Sequence, residues 1–269
     1  MSEPSTRELE RWLGQAREVA LEAGGALFDR FRRGGPVRKK GAIDLVTDAD
    51  LASESILRAR MNERFAQHGL VAEEGGGEGG PGLVWYCDPL DGTTNFAHGL
   101  FVFSVSLGLA QDGEPLAGVV HAPALGVTWE GAVGLGAFRN GEPCRVSTSA
   151  QTLSESLLGT GFPYDRATDP ENNVREHSRV VLRVQGVRRL GSAAIDLCLV
   201  ADGTYDGYWE QKLRPWDLCA GAAIARAAGA VLTDYDGGPV DLFRGRLVVT
   251  NGKIHDELRR EIAVARSSV

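Results

Sequence analysis

The stretch Trp85-Tyr-Cys-Asp-Pro-Leu-Asp-Gly-Thr-Thr-Asn-Phe96 decides the reading of this chain. It sets two carboxylates, Asp88 and Asp91, three residues apart and follows them with a glycine and two hydroxyls. The apolar run Gly82-Leu-Val-Trp-Tyr-Cys87 reads as a buried strand, so the acids fall where a strand ends and the chain turns. Hard carboxylate oxygens beside the amides of a Gly-Thr-Thr segment suit a site for magnesium and phosphate: the acids take the cation and the N–H groups take phosphate oxygens. Carboxylates facing phosphate repel it unless a cation lies between, and that requirement brings in the metal. Alone, Asp91-Gly92 is also ordinary turn chemistry, because Asp bonds its own backbone and Gly tolerates positive φ. The rest of the chain decides between the two.

Three further segments accompany the first: Asp44-Leu-Val-Thr-Asp-Ala-Asp50, Val71-Ala-Glu-Glu74 and Pro215-Trp-Asp-Leu-Cys-Ala-Gly221, with Gly191-Ser-Ala-Ala194 before the last. Together with Asp88-Pro-Leu-Asp-Gly-Thr-Thr-Asn95, and in this order, they resemble the signature of the inositol monophosphatase family over nearly the whole chain. The resemblance implies a ligand set. Glu73, Asp88 and the carbonyl of Leu90 would hold one Mg²⁺; Asp88, Asp91 and Asp217 would hold a second; Glu73 would also face a third ion through water. It further implies that Thr93, supported by Asp50, orients an attacking water, and that Lys39 stands near the waters of the metal site. Glu73 would accept the water's proton, and the amides of Gly92, Thr93 and Thr94 would steady the phosphate. The same resemblance places Gly191, Ser192 and Ala193 on the alcohol side of the pocket and Glu210 against sugar-like hydroxyls, which a carboxylate can accept from.

Each of these residues has an ordinary role as well. Thr47 and Asp50 have capping-box-like spacing at the head of a helix running to about Ala66. Glu73 precedes the glycine-rich run Gly75–Gly80, where acids are usually solvated. Asp217 could simply start a helix after Pro215, Lys39 sits in the basic run Arg38-Lys-Lys40, and Glu210 could be a surface acid at a strand end. Only their combination makes a site. The donors expected are oxygens: none of the five histidines has another three to five residues away, as zinc spacing would require.

Composition bounds the rest. The 269 residues are enough for a large core, and 43% hydrophobic with 24% charged residues is ordinary for a soluble protein. A formal net charge of −7, from 36 acids against 29 Lys and Arg, argues against direct nucleic-acid binding. It remains compatible with an anionic substrate if two or three divalent cations reverse the sign locally. Four cysteines without paired spacing, no visible signal peptide and no stretch long enough to span a bilayer lead us to expect reduced thiols, a cytoplasmic location and no membrane partner.

Along the chain, apolar residues Leu9, Leu13, Ala16, Ala20, Ala23, Leu27 and Phe31 predict a helix over about 5–33, ended by Gly34-Gly-Pro36. Strands are expected over 101–109, 115–122 and 126–133, with turns at Asp112-Gly113 and Asn140-Gly141, as an antiparallel meander. The second half alternates: strand 157–160, helix 172–184, helix 192–201, strand 205–210, helix 216–228 capped by Gly229, strands 231–234 and 247–250, and a terminal helix from His255. Pattern alone gives an α+β protein. The resemblance implies a layered αβαβα sandwich, with residues 1–145 carrying most metal ligands and 146–269 carrying Asp217 and the substrate side.

The function implied is Mg²⁺-dependent hydrolysis of inositol 1-phosphate, sensitive to lithium, in a homodimer. Relatives with the same metal motifs act on histidinol phosphate, fructose 1,6-bisphosphate, NADP or phosphoadenosine nucleotides. Others serve as partners of the transcription machinery, a reading of another class. The glycine-rich segment 74–82 is expected to be mobile and to order when metal binds, since its glycines lose much backbone entropy on fixing.

Overall fold

The computed structural model describes residues 4–33, 37–39 and 45–267. Gly34-Gly-Pro36 and Asp44 lie outside the described residues. In chain order the helices are α1 Thr6–Arg33, α2 Asp48–Arg64, α3 Thr93–Ala97, α4 Val174–Val180, α5 Ala193–Ala201, α6 Pro215–Ala227 and α7 His255–Ser267. Strands β1 Val37–Lys39 and β2 Leu45–Thr47 pair antiparallel. The first large sheet contains β3 Gly69–Ala72, β4 Gly76–Glu78, β5 Leu83–Asp91, β6 Ser104–Gln111, β7 Glu114–Ala122, β8 Val127–Ala132, β9 Gly136–Arg139 and β10 Glu142–Cys144. The second contains β11 Leu157–Thr160, β12 Gly186–Arg188, β13 Gly207–Glu210, β14 Val231–Thr233 and β15 Leu247–Thr250.

The eight-stranded sheet runs β10-β9-β8-β7-β6-β5-β3-β4, so β6 to β10 form the expected meander and β5 extends it antiparallel to β6. The five-stranded sheet runs β12-β11-β13-β15-β14. Helices α1 and α2 cover one face of the large sheet: Leu9, Leu13, Ala16, Ala20, Ala23 and Leu27 pack with Leu57, Trp85, Leu107 and Val119. The periodic apolar stripe of α1 is therefore its buried face. Helices α5 and α6 fill the space between the sheets, with Ile195, Leu197, Leu218 and Ile224 against Val120, Trp129, Tyr208 and Val249. On the far face of the second sheet, Val180, Leu258 and Ile262 pack on Trp209 and Val248. The layers are α1/α2, sheet, α5/α6, sheet, α4/α7: an αβαβα sandwich.

Three local features differ from the sequence expectation. Strand β5 does not stop before the acids. It continues across Pro89 to Asp91, and its register with β6 shifts between Asp88 and Asp91. Such an irregularity accommodates a proline that has no N–H to give the ladder. The turn comes one residue later, at Gly92, whose φ of 90° lies in the region that favours glycine. The glycine-rich run is not wholly loop, because Gly76–Glu78 pairs with Leu70–Ala72. The helix expected over 172–184 is only Val174–Val180. The buried side chain of Asn173 bonds Thr160 Oγ1, the Gly161 carbonyl and Trp209 Nε1, and its backbone is left-handed (φ 66°). The helix starts after it.

Helix α6 lies almost in backbone contact with the large sheet. A Cβ added at Gly108 would collide with the backbone N of Ala220, and one at Gly118 with the Ala220 carbonyl. This close approach sets the depth at which α6 delivers Asp217. Gly108→Ala is expected to lift α6 and cost about 3 kcal/mol, the scale of overpacking a tight core. Urea unfolding of the variant checks it, and an unchanged midpoint would show that the helix can shift without cost.

Candidate active site

The end of β5 brings two acids to the floor of a cavity of about 710 Å³. Glu73, Asp88, Leu90, Asp91, Gly92 and Thr93 line it from the first half, and Gly191, Ser192, Ala193, Glu210 and Asp217 from the second half. Thr94 does not line the cavity. Asp50 stands behind Thr93, 1% exposed. Lys39 ends β1, and its side chain lies outside what the structure describes.

Each acid is placed by its own element. Glu73 follows the last residue of β3, and its amide donates to the Cys87 carbonyl at 3.2 Å. Parallel pairing of β3 with β5 therefore sets Glu73 beside Asp88. Asp88 Oδ1 accepts from the Leu90 amide at 2.9 Å. Asp91 Oδ2 accepts from the Ser192 hydroxyl, from the Ala194 amide at 3.0 Å and, at 3.5 Å, from the Ser104 hydroxyl. Asp217, in the first turn of α6, accepts from the Arg214 amide at 2.7 Å. The Thr93 hydroxyl sits between Asp50 Oδ1 at 3.2 Å and the Leu90 carbonyl at 3.0 Å.

The electrostatics of this wall are unfavourable as they stand. Burial raises the Asp88 carboxyl well above the carboxylate range, and the charges of Glu73, Asp91 and Asp217 raise it further. Asp217 is raised well above its ordinary value too, by burial first and then by Asp91 and Glu73 against the Arg214 amide. Its side chain lines the cavity and is partly exposed there. Asp91 is pushed up to about 6 by burial, held in check by the donors from Ser192, Ala194, Ala193 and Ser104.

A hard divalent cation fits this donor set. The residues that weigh most on Asp88 after burial are three more carboxylates. Oxygen donors at the end of a strand are what Mg²⁺ takes. Among the described residues no group of three or more acidic, histidine or cysteine side chains is placed to hold a metal ion by itself. Mg²⁺ keeps several waters and shares its shell with substrate phosphate, so the protein need not supply a closed set of donors in advance.

The second half supplies the opposite wall. Ser192 caps α5, accepting from the Ile195 amide at 3.3 Å while donating to Asp91. Glu210 ends β13, accepts from the Tyr208 hydroxyl, and faces Gly161, where a Cβ would overlap its carboxylate. Two contributors escaped the sequence reading. Asn95 ties the halves together, its Nδ2 donating to the carbonyls of Val102 at 2.7 Å and Leu190 at 2.8 Å. Asp196 lines the same cavity, 1% exposed, with Oδ1 unbonded among the described residues. A signal for it existed: it is the one acid in the otherwise apolar segment Ala193–Ala201.

A sequence profile of the inositol monophosphatase family matches residues 8–267. The chain belongs to that family. It is accordingly a phosphoric monoester hydrolase acting on small substrates. An inositol-1-monophosphatase of Synechocystis sp. is 45% identical over 262 residues, 96% of this chain and 91% of that protein. A Nus factor of Pseudomonas aeruginosa is 36% identical over 249 residues, 90% of this chain and 92% of its own length. The solved structure of an inositol monophosphatase from Anabaena (Nostoc) sp. matches with a TM-score of 0.88 at 43% identity, covering 96% of this chain and 97% of that one.

Burial lifts the Glu210 carboxyl from 4.5 to about 7, against the hydrogen bond from Tyr208 and the charge of Arg189. The fold thus prefers the protonated acid. Its burden is absent below about pH 4.5, grows as pH rises toward 7, and is constant above. In chelator, Glu210→Gln should unfold like the parent near pH 4.5 and be more stable by roughly 3 kcal/mol at pH 8. Denaturant midpoints across this range test it, and a gap that does not widen with pH would refute it.

Proposed function

We propose that this chain hydrolyses inositol 1-phosphate to inositol and phosphate and requires Mg²⁺. The observation that carries the reading is the gathering of Glu73, Asp88, Asp91 and Asp217 around one cavity, with Glu210 and the Gly191–Ala193 segment opposite. Glu73, Asp88 and the Leu90 carbonyl would hold one ion, and Asp88, Asp91 and Asp217 a second, with Glu73 reaching a third through water. When bound, the ions would lower the pKa of a water and offset charge on the leaving oxygen in an in-line displacement.

The chain's own groups do the remainder. Thr93, its hydroxyl held between Asp50 and the Leu90 carbonyl, orients the attacking water. Glu73, at the cavity wall, takes its proton, with Lys39 nearby on this reading. The amides of Gly92 and Thr93 steady the phosphate. Glu210 accepts from ring hydroxyls, and Ser192 and Ala193 bound the alcohol pocket. No covalent phosphoenzyme is required. Residues 1–145 supply most of the ligands and 146–269 supply Asp217, so ions bound between them would fasten the halves together. Free thiols at Cys87, Cys144, Cys198 and Cys219 support a reducing, cytoplasmic setting. We take the working form to be a homodimer.

Related phosphomonoesters, among them histidinol phosphate, fructose 1,6-bisphosphate, NADP and phosphoadenosine nucleotides, share the metal chemistry and differ only in the alcohol they present. The kinship with a Nus factor supports a second reading, service to the transcription machinery.

Protein stripped of metal should release no phosphate from inositol 1-phosphate and regain turnover with Mg²⁺, and millimolar lithium should then inhibit it. Asp88→Asn should lower turnover by roughly a thousandfold, the scale of losing metal-assisted displacement. Comparison of kcat/KM across the phosphomonoesters ranks the substrates. Metal-independent phosphate release would overturn the reading, and an Asp88→Asn protein that keeps its biological role would favour the transcription alternative.

A further inference from the structure

Glu73 stands apart from the other acids in the way it is held. It leads into a turn, Glu74-Gly75, after which β4 runs back along β3 with Leu70 opposite Glu78 and Ala72 opposite Gly76. Strand β4 is the edge of the sheet, three residues long and two of them glycine. So short an edge hairpin buries little apolar surface and does not hold itself in place.

Helix α2 holds it. Arg58 Nη2 donates to the Gly76 carbonyl at 2.5 Å, while Arg58 Nε donates to Glu54 Oε1 at 2.6 Å. Glu54 is 4% exposed, and its other oxygen has no hydrogen-bond partner among the described residues. Its negative charge is thus committed to the guanidinium, which makes release of Arg58 costly. Gly75 lies directly on the pair: a Cβ there would collide with both the guanidinium and the Glu54 carboxylate. Asp50, Glu54 and Arg58 follow at intervals of four and share one helix face. The same helix fastens the other side of the site, with Ser53 Oγ donating to the Pro89 carbonyl at 2.7 Å. One helix therefore sets the position of the turn after Glu73 and of the Asp88–Asp91 segment together.

We propose that Arg58 is a positioning residue for metal binding. By bridging Glu54 to the Gly76 carbonyl it locks the turn after Glu73, in place of the ordering on metal binding expected from its glycines, so that this carboxylate is held toward Asp88 before any ion arrives. The proposal rests on Glu73 being a metal ligand, as read above. Its physical content is entropic: a turn already fixed has less freedom to lose when the ion binds.

The test uses the full-length protein with Arg58→Gln, Arg58→Lys and Glu73→Gln. Lysine keeps the charge but offers one nitrogen, which cannot span both acceptors as the planar guanidinium does. In metal-free protein, amide exchange over residues 72–78 should rise about tenfold in Arg58→Gln, the scale of losing one charged hydrogen bond, and less in Arg58→Lys. Calorimetric Mg²⁺ affinity should fall by about the same factor, while kcat at saturating Mg²⁺ stays near the parent value. Parent-like exchange in Arg58→Gln overturns the clamp. Faster exchange with parent-like affinity, where Glu73→Gln does lose affinity, overturns the link from clamp to metal and leaves the ligand reading intact. Parent-like affinity in both Arg58→Gln and Glu73→Gln overturns the ligand reading instead.

Discussion

The mutual repulsion of Asp88, Asp91, Asp217 and Glu73 in one cavity wall is the constraint around which this fold is arranged. Like charges brought together in a low dielectric favour proton uptake or dispersal, and here each backbone fixes its acid at the cavity. Each of the three aspartates has one oxygen engaged by a nearby donor: the Leu90 amide for Asp88, Ser192 and Ala194 for Asp91, the Arg214 amide for Asp217. Those bonds fix direction and offset part of the charge. They do not remove it, and a divalent cation is the group that would.

The donors explain why helix starts face the site. Helix α5 begins at Ala193 with Ser192 as its cap, and Asp91 accepts from both the cap hydroxyl and the first-turn amide of Ala194. A carboxylate there satisfies amides that have no partner inside the helix and meets the positive end of its dipole. Helix α6 uses the reverse arrangement: Asp217 is its own third residue and bonds back to the Arg214 amide. Its depth follows from Gly108 and Gly118, which let the Ala220 backbone lie on β6 and β7. The Ser106 hydroxyl donates to the Trp216 carbonyl at 3.3 Å and fixes the helix along its axis. Packing and electrostatics in the middle layer thus serve the placement of two carboxylates from different sheets and helices.

Much of this was legible beforehand. The stripe of α1 and the hairpin turns at Asp112-Gly113 and Asn140-Gly141 follow from local chemistry, and both turn pairs adopt positive φ. The acids stood out because their segments recur in a known order. Features that depend on a distant partner could not be read. The extension of β5 across Pro89 depends on how β6 pairs with it, and β4 is visible only once β3 lies beside it. Asn95 sits inside the most informative segment, yet its role depends on the carbonyl of Leu190, 95 residues away. Arg58 and Glu54 are an ordinary i,i+4 pair on a helix until the Gly76 carbonyl completes the contact.

The four acids also differ in what fixing them requires. Asp88 and Asp91 belong to an interior strand flanked by β6 and β3, and Asp217 belongs to a helix buried between two sheets. Their backbones are held by the global fold. Glu73 sits between an inner strand and an edge strand, where local opening is least costly. An ion shared between such groups gains affinity from whichever of them is already in place, and loses it to whichever must be ordered on arrival. On the proposed ligand set, the three aspartates would therefore set where a cation sits, and Glu73 how tightly it is held. That division would make the contacts around the β3–β4 turn, far less conspicuous in sequence than the aspartates, the sensitive point of the site.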